Sequence, residues 1–259
     1  MSAAILAWPG AIAIGVSLGL LGSGGSILTV PVLVYLLGQD EKIAIAGSLA
    51  IVGTIALFGS LQYLRGKLID HRAVVLFGGP GMVGTYLGAW SAAFVPGIAQ
   101  LALFALVMLL ASWFMLRPPN LDDAEVRAPR AALKISLDGL IVGVLTGLVG
   151  VGGGFLIVPA LVLLGGLSMH KAVATSLLII ALKSYTGFYK YLDVLHERNL
   201  ELDWAAIGLV TALGIGGSFF GNMLATRLPQ KKLQNIFGVF LIAMGTYILA
   251  RSAPAMLGL

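Results

Sequence analysis

The sequence contains no cysteine. Disulfides, thiolate metal sites and cysteine nucleophiles are therefore excluded. Charge is scarce too. Asp, Glu, Lys and Arg together make up 10% of 259 residues, while 59% are hydrophobic and mean hydropathy is +1.00. A soluble domain carries about a quarter charged residues, so a soluble fold does not fit. The three histidines, His71, His170 and His196, all fall in loops, and no His/Asp/Glu cluster has metal-ligand spacing. No Walker motif is present and nothing else suggests ATP use, so any partner ATPase would be a separate chain, and no cofactor is expected. The net charge of +5 gives no nucleic-acid signal, because Lys and Arg sit at the ends of apolar segments.

What is present is a succession of apolar stretches of about 18 residues or more, the pattern of a multi-span membrane protein. There are 35 glycines, which fits close helix contacts and broken helices. One stretch stands out: Gly19-Leu-Leu-Gly-Ser-Gly-Gly-Ser-Ile-Leu-Thr-Val-Pro31 recurs as Gly147-Leu-Val-Gly-Val-Gly-Gly-Gly-Phe-Leu-Ile-Val-Pro159, an offset of 128 residues. Each copy interrupts an apolar run and frees backbone N–H and C=O groups. In hydrocarbon such groups cost several kcal/mol each unless protein, water or a ligand satisfies them. A paired break, one per half, is the best sequence pointer to a transporter's binding site.

The repeat covers nearly the whole chain. Ala46-Gly-Ser-Leu49 matches Ala174-Thr-Ser-Leu177 at the same offset, and Pro96 matches Pro229 at 133. The chain divides into a first transmembrane repeat over 1–116, a linker over 117–132 with Pro118, Pro119 and Pro129, and a second repeat over 133–259. Residues 1–21 lack a basic n-region and match 134–150, so they read as part of the mature protein. In the first half the segments are 3–21, the short 26–37, and spans over 43–64, 73–94 and 98–116. In the second they are 133–150, 155–164, 172–191, 204–226 and 233–250, with a polar loop over 192–203. The two short segments are short spans or halves of re-entrant hairpins.

Charge gives orientation. Arg65, Lys67 and Arg72 place the first-half loop in the cytoplasm, as do Arg117, Arg127, Arg130 and Lys134 for the linker. The matching second-half loop is acid-rich, and the next turn, residues 227–232, is basic. The expected fold is therefore all-α and polytopic, with two inverted repeats, each a Gly-broken helical hairpin plus three full spans, and both termini outside.

Candidate chemistry lies at the breaks. Gly22, Ser23, Gly24, Gly25 and Ser26, and in the second copy Gly150, Gly152, Gly153 and Gly154, each precede a new short helix. A helix N-terminus offers free N–H donors and partial positive charge, an anion site. The bland alternative is that these glycines only permit close packing. Lys183 falls mid-span, where a lysine is costly unless paired or hydrated. It shares a helix face with Thr175 and Gly187, and Ser176 adjoins that face. Its first-half counterpart is Ile55. Lys183 bonded only to backbone carbonyls is the competing reading. Ser48 aligns with Ser176 and stands equally open between packing and function. Asn222 reads as an interhelical bond, and Asp138, near a segment start, as hydrated or functional.

The duplicated glycine break followed by Val-Pro, the Ala-x-Ser-Leu start of the next span and the linker between halves resemble the TauE/SafE family of sulfite exporters, also called probable membrane transporter proteins. The resemblance spans essentially the whole chain. It implies a bacterial or archaeal inner-membrane, multi-pass transporter of sulfite, sulfonates or sulfoacetate, and it carries the family's Gly-rich segments onto Gly22, Gly24 and Gly25 and onto Gly150, Gly152 and Gly153. The expected function is secondary transport of a small anionic substrate by alternating access, in a lipid bilayer, by a chain that is not an enzyme and could self-associate. An anion channel, a cation-coupled uptake carrier and an intramembrane enzyme are the alternatives. The last would need convergent His, Asp or Glu at membrane depth, and none is found.

Overall fold

A computed structural model describes residues 2–64, 66–117, 131–149 and 154–256. Residues 118–130 of the linker and Gly150, Gly152 and Gly153 lie outside these residues. The described residues contain helices and turns and no strand. Seven stretches among them are long and apolar enough to cross a membrane. The chain is an all-α polytopic membrane protein.

Helix α1 (Ser2–Leu21) ends where Gly22 takes φ +70°, a left-handed conformation that glycine adopts without strain. The chain reverses, and α2 (Gly24–Pro31) returns along α1. Gly24 then lies beside Ser17, Gly25 beside Leu18, and Val32 beside Gly10, so the two helices form an antiparallel hairpin. Proline has no N–H for the carbonyl four residues back, and its ring crowds that carbonyl. After Pro31 the chain widens into a π turn, Val32–Leu36. In the second half α7 (Ala132–Val149) precedes the break, and α8 (Gly154–Pro159) runs into the matching π turn, Ala160–Leu164. The α1–α2 contacts show a helical hairpin at the first break.

The remaining spans are α3 (Glu41–Leu64), the composite stretch His71–Phe94, α6 (Gly97–Leu116), α9 (Met169–Glu197), α10 (Trp204–Ala225) and α11 (Gln230–Met256). The composite stretch joins α4 (His71–Ala73), a π turn Val74–Gly78, and α5 (Gly79–Ser91). Helices α3 and α9 form the centre: 78% and 67% of their apolar windows are buried, against 28–50% in the other five spans. They run antiparallel, with Gly53 facing Ser184 and Leu49 facing Gly187. Helices α6 and α11 are also antiparallel, with Leu116 against Gly238 and Leu109 against Gly245.

Each hairpin packs on a span of the other half. Gly15 and Gly19 of α1 press on the carbonyls of Gly214 and Ser218, and Gly217 and Gly221 of α10 on those of Ile12 and Val16. Gly84 and Gly88 of α5 meet the Leu140 and Val144 carbonyls of α7 in the same way. Lipid tails supply no hydrophobic drive between helices, so association rests on this close approach.

Two sequence expectations are corrected. The histidines are not in loops, since His71 opens α4 and His170 and His196 lie within α9. Residues 192–203 do not form a loop throughout, because α9 continues to Glu197. Val194 and Leu195 are buried there, so a stretch that looks polar overall is amphipathic.

The ends of the bundle are held by buried polar groups. Lys42 is 3% exposed, and its ammonium donates to Ala92 O at 2.7 Å, Val95 O at 2.8 Å and Gln100 Oε1 at 2.6 Å. Gln100 Nε2 donates to Leu148 O, which also accepts the Tyr191 hydroxyl at 3.3 Å. Leu148 O is among the last carbonyls of α7, which have no partner within the helix. At the matching place in the other half, His170 Nε2 lies 3.2 Å from Leu228 O.

Gly88→Ala should therefore lower stability by at least ~2 kcal/mol through backbone overlap with α7. Gly216→Ala, with open space around it, should be neutral or slightly stabilising; thermal unfolding in detergent compares the two. Gln100→Leu removes donors from Leu148 O and an acceptor from Lys42, and should cost about 1–3 kcal/mol in the same assay.

Candidate functional site

The first break meets the start of α8. A Cβ built on Gly154 would stand 2.6 Å from the Ser23 Cβ and 2.6 Å from Ile180 Cδ1 of α9. Gly22 lies against the same helix one turn earlier. Ser176 Oγ donates to Gly22 O at 3.0 Å, as well as to Val173 O at 2.9 Å. Gly22 O is thus one freed carbonyl whose partner is known.

The donor side of the break is less complete. Gly24, Gly25 and Ser26 open α2, so their N–H groups have no partner four residues back. Ser26 N–H turns to Ser23 O at 3.1 Å, and Ser26 Oγ donates to the same carbonyl at 2.6 Å. Ser23 occupies the N-cap position, where a serine oxygen normally accepts an N–H of the new helix. Here it makes no cap bond: Ser23 is fully buried, and its Oγ has no hydrogen-bond partner. A buried hydroxyl left alone costs about 1–3 kcal/mol.

The side-chain space at Gly24 and Gly25 is filled by α1. A Cβ on Gly24 would stand 2.8 Å from Ser17 O, and one on Gly25 2.6 Å from Leu18 Cβ. Close packing, the competing reading for these glycines, accounts for both positions.

Lys183 is fully buried, and its Nζ has no hydrogen-bond partner. The nearest π face is that of Phe77, whose ring centroid is 5.9 Å from Nζ. The aliphatic stem runs over Gly81, where a Cβ would stand 3.3 Å from both Cδ and Cε. The facing of Gly53 by Ser184 puts Lys183 near the level where the matching residues Thr54 and Leu182 of α3 and α9 meet, halfway along the central pair. Thr54 Oγ1 and Tyr185 OH, 2.9 Å apart, tie the helices at this height. Ser176 and Lys183 are seven residues apart, about 10 Å along the helix and about 20° around it. The break and the ammonium thus share one side of α9.

The other expected residues are placed as follows. Thr175 is buried, and its Oγ1 accepts the Asp70 N–H at 2.9 Å, tying α9 to the start of the composite span. Gly187 faces Leu49 and Thr85. Ser48 is buried and donates to Ile45 O at 2.8 Å. Asn222 bonds Gly59 O at 3.3 Å and lies 3.4 Å from the Tyr63 hydroxyl, the interhelical role expected of it. Among the described residues no group of His, Asp and Glu could hold a metal.

Lys42, Gln100 and Tyr191 were not singled out from the sequence. Lys42 follows Asp40 and Glu41 and so reads as a solvated turn. The usable signal was Gln100, an amide inside an apolar span that must find partners.

The family model described as "Sulfite exporter TauE/SafE" matches residues 7–248. A "Probable membrane transporter protein" of Xylella fastidiosa (strain 9a5c) is 32% identical over 247 residues, 92% of each chain. "Probable membrane transporter protein YunE" of Bacillus subtilis (strain 168) is 31% identical over 275 residues, 96% of this chain and 98% of its own. An archaeal relative, "Probable membrane transporter protein MJ0441" of Methanocaldococcus jannaschii, is 27% identical, with 95% and 96% covered. No solved structure matches significantly. With seven apolar helices and a family match over nearly its full length, the chain is a multi-pass membrane protein belonging to the sulfite exporter TauE/SafE family of membrane transporters.

Proposed function

We propose that this protein is a secondary transporter that moves small sulfur-containing anions, such as sulfite, sulfonates or sulfoacetate, by alternating access between two inverted repeats. The observation that carries the proposal is the Lys183 ammonium, buried halfway along the central pair with no acceptor. A charge in that position is costly unless compensated. A small anion seated beside it would supply the compensation and accept from Ser23 Oγ and the first N–H groups of α2. Thr175 and Ser176 then hold the surrounding backbone, and the sulfur-anion class follows the family's description.

Inversion is supported by direction. Matching helices α3 and α9 run antiparallel, as do α6 and α11. The two ends of the bundle also differ in charge. Arg72, Lys171, Arg227, Lys231 and Lys232 lie at one end with Asp70 and Asp138, while Asp40, Glu41, Glu201 and Asp203 lie at the other with Lys42 and Arg198. The basic end belongs in the cytoplasm. Rocking of one hairpin-bearing unit against the other would expose the site to each side in turn.

Lys183→Met keeps the stem and removes the charge. Replacing a buried charge by an apolar side chain of similar volume is neutral or stabilising. The melting temperature should hold or rise, while anion flux into proteoliposomes should fall at least tenfold, about 1.4 kcal/mol. Unchanged flux, or a collapse of the fold, would reject Lys183 as the anion's partner. Wild-type flux should also respond to an imposed membrane potential; indifference to voltage rejects net charge movement.

A further inference from the structure

A cavity of about 140 Å³ opens at the basic end, between the start of the composite span, the start of α7 and the π turn Ala160–Leu164. Asp70, Arg72, Ile135, Asp138 and Leu161 line it, and Phe77 closes its inner part. Asp70 is committed to capping α4, since its Oδ1 accepts the Ala73 N–H at 2.9 Å. Phe77 is 2% exposed, and the Lys183 ammonium lies 5.9 Å from its ring centroid. One side chain therefore borders both the cavity and the unpaired charge.

The pseudo-symmetry of the chain shows that this arrangement is not needed for packing. Gly81, Gly84 and Gly88 of α5 correspond to Gly214, Gly217 and Gly221 of α10, which pairs Phe77 with Val210. Lys183 corresponds to Ile55, and Ile55 lies over Gly214 as Lys183 lies over Gly81. Ile55 and Val210 are both buried. The fold fills this slot with two branched aliphatic side chains in one half. In the other it places a cation behind an aromatic ring at the end of a cavity.

The local helix is irregular, while the Phe77 backbone stays packed on Gly139 of α7, so any movement belongs to the ring. Phe77 sits in the π turn Val74–Gly78, followed by Gly79 and Pro80. Pro80 offers no N–H to the carbonyl of Leu76. Single π turns inside helices are frequent at functional sites.

We propose that the cavity at the basic end is the antechamber of the anion path, and that the Phe77 ring is the barrier between it and the Lys183 ammonium. An anion on this side is drawn in by Arg72 past the Asp70 and Asp138 carboxylates, waits against the ring and reaches the charge when the ring swings aside. The inference rests on the transport reading above and adds its entry side and its gate.

The absence of native cysteine permits a direct test with a membrane-impermeant, sulfonate-bearing thiol reagent on oriented vesicles. Ile135→Cys, on the cavity wall, should label from the basic face whether or not Phe77 is present. Lys183→Cys should label at least tenfold more slowly than Ile135→Cys while Phe77 is intact. Adding Phe77→Ala should raise the Lys183→Cys rate at least tenfold from the basic face only. A Lys183→Cys rate indifferent to Phe77→Ala, equal to that of Ile135→Cys beforehand, or faster from the opposite face would overturn the proposal. If Phe77→Ala abolishes Ile135→Cys labelling, the fold has been lost, and Phe77→Leu, which keeps the core filled, carries the same comparison. The labelling pattern is independent of turnover. If it holds while wild-type proteoliposomes show no anion flux, the barrier stands and the transport reading falls.

Discussion

A helix interrupted inside hydrocarbon releases amides and carbonyls that no water can satisfy, and two such interruptions govern how this chain is packed. Gly22 reverses the first, and α9 closes around it: Ser176 takes its carbonyl, and Ile180 and Ser23 crowd against Gly154. Gln100 and Tyr191 converge on Leu148 O, just ahead of the second, and Lys42 donates to the Gln100 amide oxygen behind them. Once these partners are counted, buried side-chain groups without a partner remain, among them the Ser23, Ser184 and Ser218 hydroxyls and the Lys183 ammonium. The ammonium can only donate and the hydroxyls can donate or accept, so an anion is a complement that suits both.

The two halves provide an internal control on which features serve the fold and which serve chemistry. The glycine rows of α5 and α10, the π turns after Pro31 and Pro159, and the end ties at Lys42 and His170 recur in both halves and are accounted for by packing and backbone satisfaction. Lys183 does not recur. Ile55 fills the equivalent slot with no polar atom to satisfy, so the cation brings a cost that packing does not demand. Such departures from local consistency are where function is expected.

Much of this architecture was legible in the residues. The offset of 128 located both breaks, and the apolar run lengths gave the three spans of each half. The mid-span position of Lys183 marked it before any contact was known. Other features depend on tertiary neighbours that a linear pattern does not carry. Lys42 looks solvated because the carbonyls it meets lie about fifty residues away, at Ala92 and Val95. Thr175 lies beside Ser176, yet its oxygen serves the Asp70 N–H on another element. The glycines of α2 looked like ligand-facing backbone, and Gly24 and Gly25 also prove to be where α1 comes closest. The end of α9 was misread because Val194 and Leu195 are sparse among charges, and only burial against neighbours reveals their role.

The central claim is that the two breaks lie side by side around an anion. The most direct measurement is cross-linking of Ser23→Cys to Gly154→Cys in this otherwise cysteine-free chain, after cutting an inserted protease site within residues 118–130. Mild oxidation should leave the two halves joined in non-reducing SDS, and saturating sulfoacetate, which unlike sulfite does not cleave disulfides, should slow the joining. A Gly216→Cys/Gly154→Cys pair should not join. Halves that separate after full oxidation of the 23/154 pair would contradict the meeting of the breaks, and joining at a rate indifferent to the anion would contradict its place between them.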